Sequence, residues 1–214
     1  MKRIVIIGGM GPQASLELHS RILQAASRNG ARNGSEFPFI LHVSLPIDDF
    51  ISEQGKTKQA LKMIVNEMKQ IGLRDDDSII IACNTAHLFM EEIEQQLGVK
   101  VLSLIEATID HIVSSGITKI ELLASPTSVS SGLYTKPLLR AGIEVIEPDK
   151  DKTKQLETMI RSVISGNPTQ PTSTTGTVKL IGCTELSCMF AEKPNVIDPL
   201  NIIVEKLVTE GRMI

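Results

Sequence analysis

Two short segments carry residues able to move a proton on and off carbon: Ala82-Cys83-Asn84-Thr85-Ala86-His87 and Gly182-Cys183-Thr184-Glu185-Leu186. Each follows an apolar, β-rich run, Ser78-Ile79-Ile80-Ile81 in the first case and Thr177-Val178-Lys179-Leu180-Ile181 in the second. Each therefore sets a cysteine where a strand ends and a polar turn begins. In open α/β sheets that end of a strand is where ligands bind. Two thiols opposed across a cleft can take a proton from one face of a carbon and return one on the other. A helix starting after Cys83 would place partial positive charge near its sulfur, lowering a thiol pKa from about 8.5 and favouring the thiolate. The alternative is that an unpaired cysteine packs as a small hydrophobe. That reading suits Cys188, which follows Leu186-Ser187 and has no comparable setting.

The polar neighbours admit two roles each. Asn84 and Thr85 offer an amide and a hydroxyl beside the first cysteine, and Thr184 offers a hydroxyl beside the second. Ser125, Thr127 and Ser128 cluster after another strand-like run. All of these can hold an α-carboxylate or α-amine, and all can cap helices. Glu185 can hold a substrate amine or raise the basicity near the thiol. His87, one turn past Cys83, can orient or protonate a group in the cleft, or simply bond to backbone. The loop Gly8-Gly9-Met10-Gly11-Pro12 matches neither G-x-x-x-x-G-K-[ST] nor the full G-x-G-x-x-G, so a phosphate role is weakly supported. Its other readings are a turn whose N–H groups face a small carboxylate at a helix N-terminus, or a bare strand–helix turn. Met10 within it counts among the candidate substrate-binding residues. There is no C-x-x-C pair, and His19, His42 and His111 are scattered, so no metal site is expected.

The elements that must position these groups alternate strand and helix. Strands are predicted at 3–7, 38–44, 78–82, 118–124, 144–146 and 177–181. Helices are predicted at 12–28, 57–72, 84–97 (capped by Asn84 or Thr85), 105–115, 132–141, 152–165 and 201–209. Residues 125–131 read as a Ser/Thr-rich loop and 168–176 as a Ser/Thr/Pro-rich connector. Alternating βα units predict an α/β protein with parallel sheets flanked by helices. The cysteines lie 100 positions apart, at 83 and 183, in like places of two successive βα sets. That layout predicts two similar lobes with the active site in the cleft between them.

Composition bounds the rest. The chain has 214 residues, 42% of them hydrophobic, with 3% aromatic and no Trp, so the core is built from aliphatic side chains. A net charge of -3 leaves no basic excess for a nucleic-acid partner. No apolar run is long enough to span a bilayer. Ile4-Val5-Ile6-Ile7 is too short for a signal-peptide core and breaks at once into the glycine loop. Three Cys form no disulfide framework and fit a reducing, cytoplasmic setting.

Taken in order, Gly8-Gly9-Met10-Gly11-Pro12, Cys83-Asn84-Thr85-Ala86-His87, Ser131-Gly132-Leu133-Tyr134 and Gly182-Cys183-Thr184-Glu185-Leu186 run from end to end of the chain. Together they resemble the aspartate/glutamate racemase family, and its aspartate racemase branch in particular. The resemblance implies a first lobe from 1–98 plus 192–214, a second from 99–191, and a homodimer. It implies a racemase interconverting L- and D-aspartate or a related amino acid, with no pyridoxal phosphate and no metal. In that chemistry Cys83 and Cys183 alternate as base and acid, while Met10, Asn84, Thr85, Ser125, Ser128, Thr184 and Glu185 hold the small-molecule substrate. Two departures stand out. The family pattern expects an arginine after a Pro-Asp pair, where this chain has Pro46-Ile47-Asp48-Asp49-Phe50. It expects a lysine before a helix-ending glycine, where this chain has Val163-Ile164-Ser165-Gly166. The cysteine chemistry is therefore better supported than an acidic substrate, and neutral or basic amino acids enter as alternatives. Maleate isomerase, hydantoin racemase and arylmalonate decarboxylase share the two-lobed architecture, and a non-catalytic amino-acid-binding protein on the same fold is a further alternative.

Overall fold

A computed structural model describes residues 3–48, 57–169, 176–190 and 193–213. The first half runs β1 (Arg3–Gly8), α1 (Pro12–Arg28), β2 (Phe39–Ser44), α2 (Thr57–Ile71), β3 (Ser78–Ile81) and α3 (Met90–Leu97). The second runs α4 (Leu104–Ser114), β4 (Lys119–Leu123), α5 (Pro126–Ser131), α6 (Thr135–Arg140), β5 (Glu144–Ile146), α7 (Lys150–Ile164) and β6 (Lys179–Ile181). It closes with α8 (Ser187–Phe190), β7 (Val196–Ile197) and α9 (Pro199–Thr209).

Two all-parallel sheets form, ordered β2-β1-β3 and β5-β4-β6-β7. Within the first three strands of each set the order is the same: the earliest strand is central, the next lies on one side and the third on the other. Strands buried on both faces should read as continuous apolar runs, and β1 and β3 are buried along their whole length. Ile4, Val5, Ile6 and Ile7 are fully buried, each worth about 1.5–3 kcal/mol relative to exposure. One apolar cluster draws on both sheets, joining Ile4 and Ile6 of β1 to Leu122 of β4, Leu180 of β6 and Ile203 of α9. Helix α9 packs on both α4 and α1.

Helix α1 has its apolar stripe at Leu18, Ile22, Ala25 and Ala26. Arg21 lies on the same buried side. Its guanidinium bonds Asp198 at 2.6 Å, the Ser187 carbonyl at 2.9 Å and Asn201 at 2.7 Å. Asp198 also accepts from the Ser187 hydroxyl at 2.7 Å and caps α9 through Leu200 N–H at 2.9 Å. This network ties α1, α8 and α9 together directly behind the second cysteine turn.

Four expectations are corrected. Residues 126–131 are helix α5, not loop: Ser125 caps it by accepting from Ser128 N–H at 3.3 Å, and Pro126 starts it. The next helix is accordingly shorter than 132–141. After Cys83 the chain makes a 3-10 segment, Thr85–Phe89, before α3 begins. Neither Asn84 nor Thr85 caps it: Asn84 is itself helical (φ -61, ψ -46) and makes no side-chain cap bond, because both side chains are used elsewhere. Asp49, and residues 170–175 of the expected connector, lie outside the described residues. Among the described residues, no helix is long and apolar enough to cross a membrane.

Candidate active site

Cys83 follows β3 and Cys183 follows β6, the third strand of each sheet's matching set. The loops after the central strands β1 and β4 bring Met10 and Ser125 beside them. This is the carboxyl end of each sheet, at the point where successive connections leave in opposite directions and crevices open. Cys83 and Cys183 line one small cavity together with Met10, Asn84, Thr85 and Ser125. Thr184 and Glu185 complete its polar side, and Ile160 and Ile164 of α7 form an apolar side. Of the residues expected from sequence, Ser128 stands behind this lining, its hydroxyl 3.2 Å from that of Thr85, and Thr127 and His87 are not part of it.

The residue after each cysteine reaches across to the other half. Thr184 donates its hydroxyl to the Ala82 carbonyl at 3.1 Å, next to Cys83. Asn84 donates its amide to the Ile181 carbonyl at 3.5 Å, two residues before Cys183. Gln13 at the start of α1 donates to the Ile164 carbonyl at 2.9 Å. The enclosed space is about 10 Å³, room for about one water. In this arrangement the space is too small for an amino acid, so binding one needs the two halves to part.

Two glycines make the close approach. Gly182 has no room for a Cβ, which would sit 2.6 Å from the Ala124 Cβ and 2.8 Å from Leu122 Cδ1, so only glycine lets β6 end this close to β4. Gly11 has φ +78, and a Cβ there would overlap the Glu185 carboxylate.

That carboxylate occupies the N-terminus of α1. Its Oε1 accepts from Ala14 N–H at 3.3 Å. The group at this helix N-terminus is the chain's own Glu185, and its donor is Ala14 N–H of α1 and not an N–H of the glycine turn. Its second oxygen, Oε2, is buried with no hydrogen-bond partner among the described residues, and so is Asn84 Oδ1. Burial raises the Glu185 pKa from 4.5 to about 7, against the opposing Ala14 N–H.

The thiols do not follow the sequence expectation. The Thr85 and Ala86 N–H groups do favour the Cys83 thiolate, as a helical start should. Burial outweighs them, Glu185 adds a raising charge, and the thiol is pushed up to about 11. Burial pushes the Cys183 thiol up as well, with Glu185 and Cys83 both adding to the rise. Cys188 is raised by burial to about 12 and packs beside Leu186 and Phe190, as a core cysteine would.

His87 takes the backbone role. Its Nδ1–H donates to the Cys83 carbonyl at 2.9 Å and its Nε2 accepts from Leu104 N–H at 3.0 Å, which fixes the neutral tautomer. Burial lowers its pKa to about 4. It staples the Cys83 turn to the start of α4. Sequence reasoning missed Ile160 and Ile164 as lining residues, although both belong to the apolar stripe of the helix expected at 152–165. It also missed Arg21, whose signal was a cation one turn from Leu18 on the buried side of α1.

Two parallel 2-1-3 strand sets, each delivering a cysteine from its third strand to a shared crevice, define a two-lobed racemase-type fold. A family model described as Asp/Glu/Hydantoin racemase matches residues 7–207. The chain belongs to this family. It is 30% identical over 147 residues to the broad specificity amino-acid racemase RacX of Bacillus subtilis (strain 168), covering 68% of this chain and 64% of that protein. The matched stretch thus spans less than two thirds of that relative's length. Among solved structures it is similar to Picrophilus torridus aspartate racemase, with TM-score 0.73 and 26% identity over 100% of this chain and 96% of that one. It shares its fold with glutamate racemase from Campylobacter jejuni subsp. jejuni, with TM-score 0.70 and 18% identity over 99% of this chain and 87% of that one.

Proposed function

We propose that the protein racemises an α-amino acid by two-base proton transfer between Cys83 and Cys183. The observation that carries this reading is that the two cysteines, delivered by matching strands of the two sheets, line one cavity. The names of the relatives, a broad specificity amino-acid racemase and an aspartate racemase, support the reaction class.

One cysteine, as thiolate, takes the Cα proton from one face. The electron pair left on carbon delocalises into the carboxylate. The other cysteine, as thiol, donates its proton to the opposite face, so a new Cα–H bond forms as an S–H bond breaks. The two sulfurs have then exchanged protonation states, and the reverse passage converts the other enantiomer. Charge developing on the carboxylate needs donors already in place. The hydroxyls of Thr85 and Ser125 line the site and supply them, with Ser128 orienting Thr85; Thr184 joins them when its bond to the Ala82 carbonyl opens.

A resting thiol near 11 is ionised in only about one molecule in 10⁴ at neutral pH, so the substrate must help. Glu185 is the charge that opposes ionisation of both thiols. A substrate ammonium paired with Glu185 cancels that charge and favours the thiolate. The thiol pair supplies both proton-transfer groups.

The test is deuterium incorporation at Cα in D₂O, followed by NMR and chiral chromatography over a panel of L- and D-amino acids. Exchange with inversion on at least one of them, lost in Cys83→Ser and in Cys183→Ser, is expected. Inversion that survives either substitution at the wild-type rate would sink the mechanism.

A further inference from the structure

We infer that the site prefers α-amino acids with an apolar, uncharged side chain over aspartate and glutamate, with Ile160, Ile164 and Met10 forming the wall that the side chain meets. The inference rests on the racemase reading of the cysteine pair and specifies its substrate class.

Three features of the cavity carry it. Its non-polar lining is Ile160 and Ile164, one turn apart on α7, together with Met10 of the glycine loop. Its one carboxyl group is Glu185, and among the described residues no lysine or arginine lines it. Its unmet hydrogen-bonding capacity is two buried acceptors, Glu185 Oε2 and Asn84 Oδ1.

Two unmet acceptors call for one cationic donor, and the α-ammonium common to every amino acid is such a donor. The hydroxyls then serve one carboxylate, the α-carboxylate. A zwitterion with a neutral side chain leaves nothing unpaired. A second carboxylate would be buried beside Glu185 and against isoleucine with no cation to receive it, which costs several kcal/mol or forces it to protonate. A second ammonium, on a lysine-like side chain, would compete with the first for the single carboxylate. Of the internal segments outside the described residues, 49–56, 170–175 and 191–192, the sequence holds one basic residue, Lys56.

The experiment is isothermal titration of the Cys83→Ser/Cys183→Ser double variant, which holds an amino acid without turning it over. The probes are leucine, methionine, aspartate and lysine in both enantiomers. Leucine or methionine should bind with a Kd at least about tenfold below those of aspartate and lysine. Adding Ile164→Lys should narrow the gap to aspartate by about tenfold or more; Ile164 is only partly buried, and circular dichroism confirms that the variant is folded. Aspartate or lysine binding as tightly as leucine overturns the inference, as does binding by none of the probes. So does a preference for aspartate that disappears in Lys56→Gln. The two readings fail separately: Cα exchange confined to aspartate in the wild type sinks this one alone, and a leucine preference in binding without any exchange sinks the racemase reading alone.

Discussion

After β3 the chain turns through Cys83 into a 3-10 segment clamped by a histidine; after β6 it turns through Cys183 into a 3-10 segment clamped by a carboxylate. Both clamps bond to backbone in a different part of the fold, His87 to Leu104 N–H and Glu185 to Ala14 N–H. The histidine spends both ring nitrogens on backbone and, held near pKa 4, stays neutral at physiological pH. The carboxylate spends one oxygen, keeps the other unmet, and is held near pKa 7. One turn is fixed structure. The other carries a group whose charge changes at working pH, beside both thiols. Matching topology has thus been given unequal duties, and substitutions at the two turns should separate them.

The largest separation is between the sulfurs and everything else. Either Cys83→Ser or Cys183→Ser should lower racemisation by about 10²–10⁴-fold, the range a positioned acid or base supplies, with the fold unchanged by circular dichroism. If one substitution is silent, the two turns are not partners.

Next in size is the bracing of the second turn. Arg21→Met leaves Asp198, 3% exposed at its side chain, without its cation. Breaking a buried pair in this way costs about 3–5 kcal/mol, read as a lowered urea midpoint. The first turn has no such network behind it among the described residues, so no single charge removal near Cys83 should match that loss.

The pH dependence of stability distinguishes the clamps by sign. Glu185 holds its proton up to about pH 7 in the folded protein, while the unfolded chain releases it near 4.5. The folded state binds more protons in that window, so stability falls as pH rises through it, by up to about 3 kcal/mol. His87 does the reverse. Its folded pKa near 4 lies below the usual 6.5, so its contribution is complete above 6.5 and is lost as pH falls toward 4. In the wild type the two slopes oppose each other where the windows overlap. Glu185→Gln keeps an acceptor for Ala14 and should expose a stability that rises with pH across the histidine window. Urea midpoints at several pH values check this; a Glu185→Gln profile that still falls above pH 4.5 would show that the carboxylate is not the titrating group.

The smallest effect is His87→Ala. It leaves the Cys83 carbonyl and Leu104 N–H without partners, a loss of about 1–3 kcal/mol, and it should lower activity only through looser placement of Cys83. A drop as large as that of the cysteine variants would make His87 a participant in proton transfer and erase the contrast between the turns.

What was legible in the sequence were the features that depend on near neighbours. The buried strands β1 and β3 announced themselves as aliphatic runs, α1 and α2 as apolar stripes at helical spacing, and the two cysteines by their place at strand ends. Helix α5 was hidden because Ser125 to Ser131 is poor in strong helix formers, although the Ser-Pro start was a cap signal in plain view. Strand β7 is two residues long and exists only because β6 lies beside it. The wrong direction for the Cys83 thiol came from the same source. The local N–H groups act as expected, but depth in the fold outweighs them, and depth is a tertiary quantity. Asn84 and Thr85 were misjudged as caps because their partners, Ile181 and Ser128, lie 97 and 43 residues away.

The most direct test follows each enantiomer separately in the two single-cysteine variants. In D₂O, a protein keeping one thiol can still exchange the Cα hydrogen of the enantiomer whose C–H bond faces that thiol, without inverting it. On a two-base mechanism across opposite faces, the residual exchange of Cys83→Ser and Cys183→Ser must favour opposite enantiomers. Residual exchange on the same enantiomer in both variants would contradict the claim that the two sulfurs work from opposite sides of one carbon.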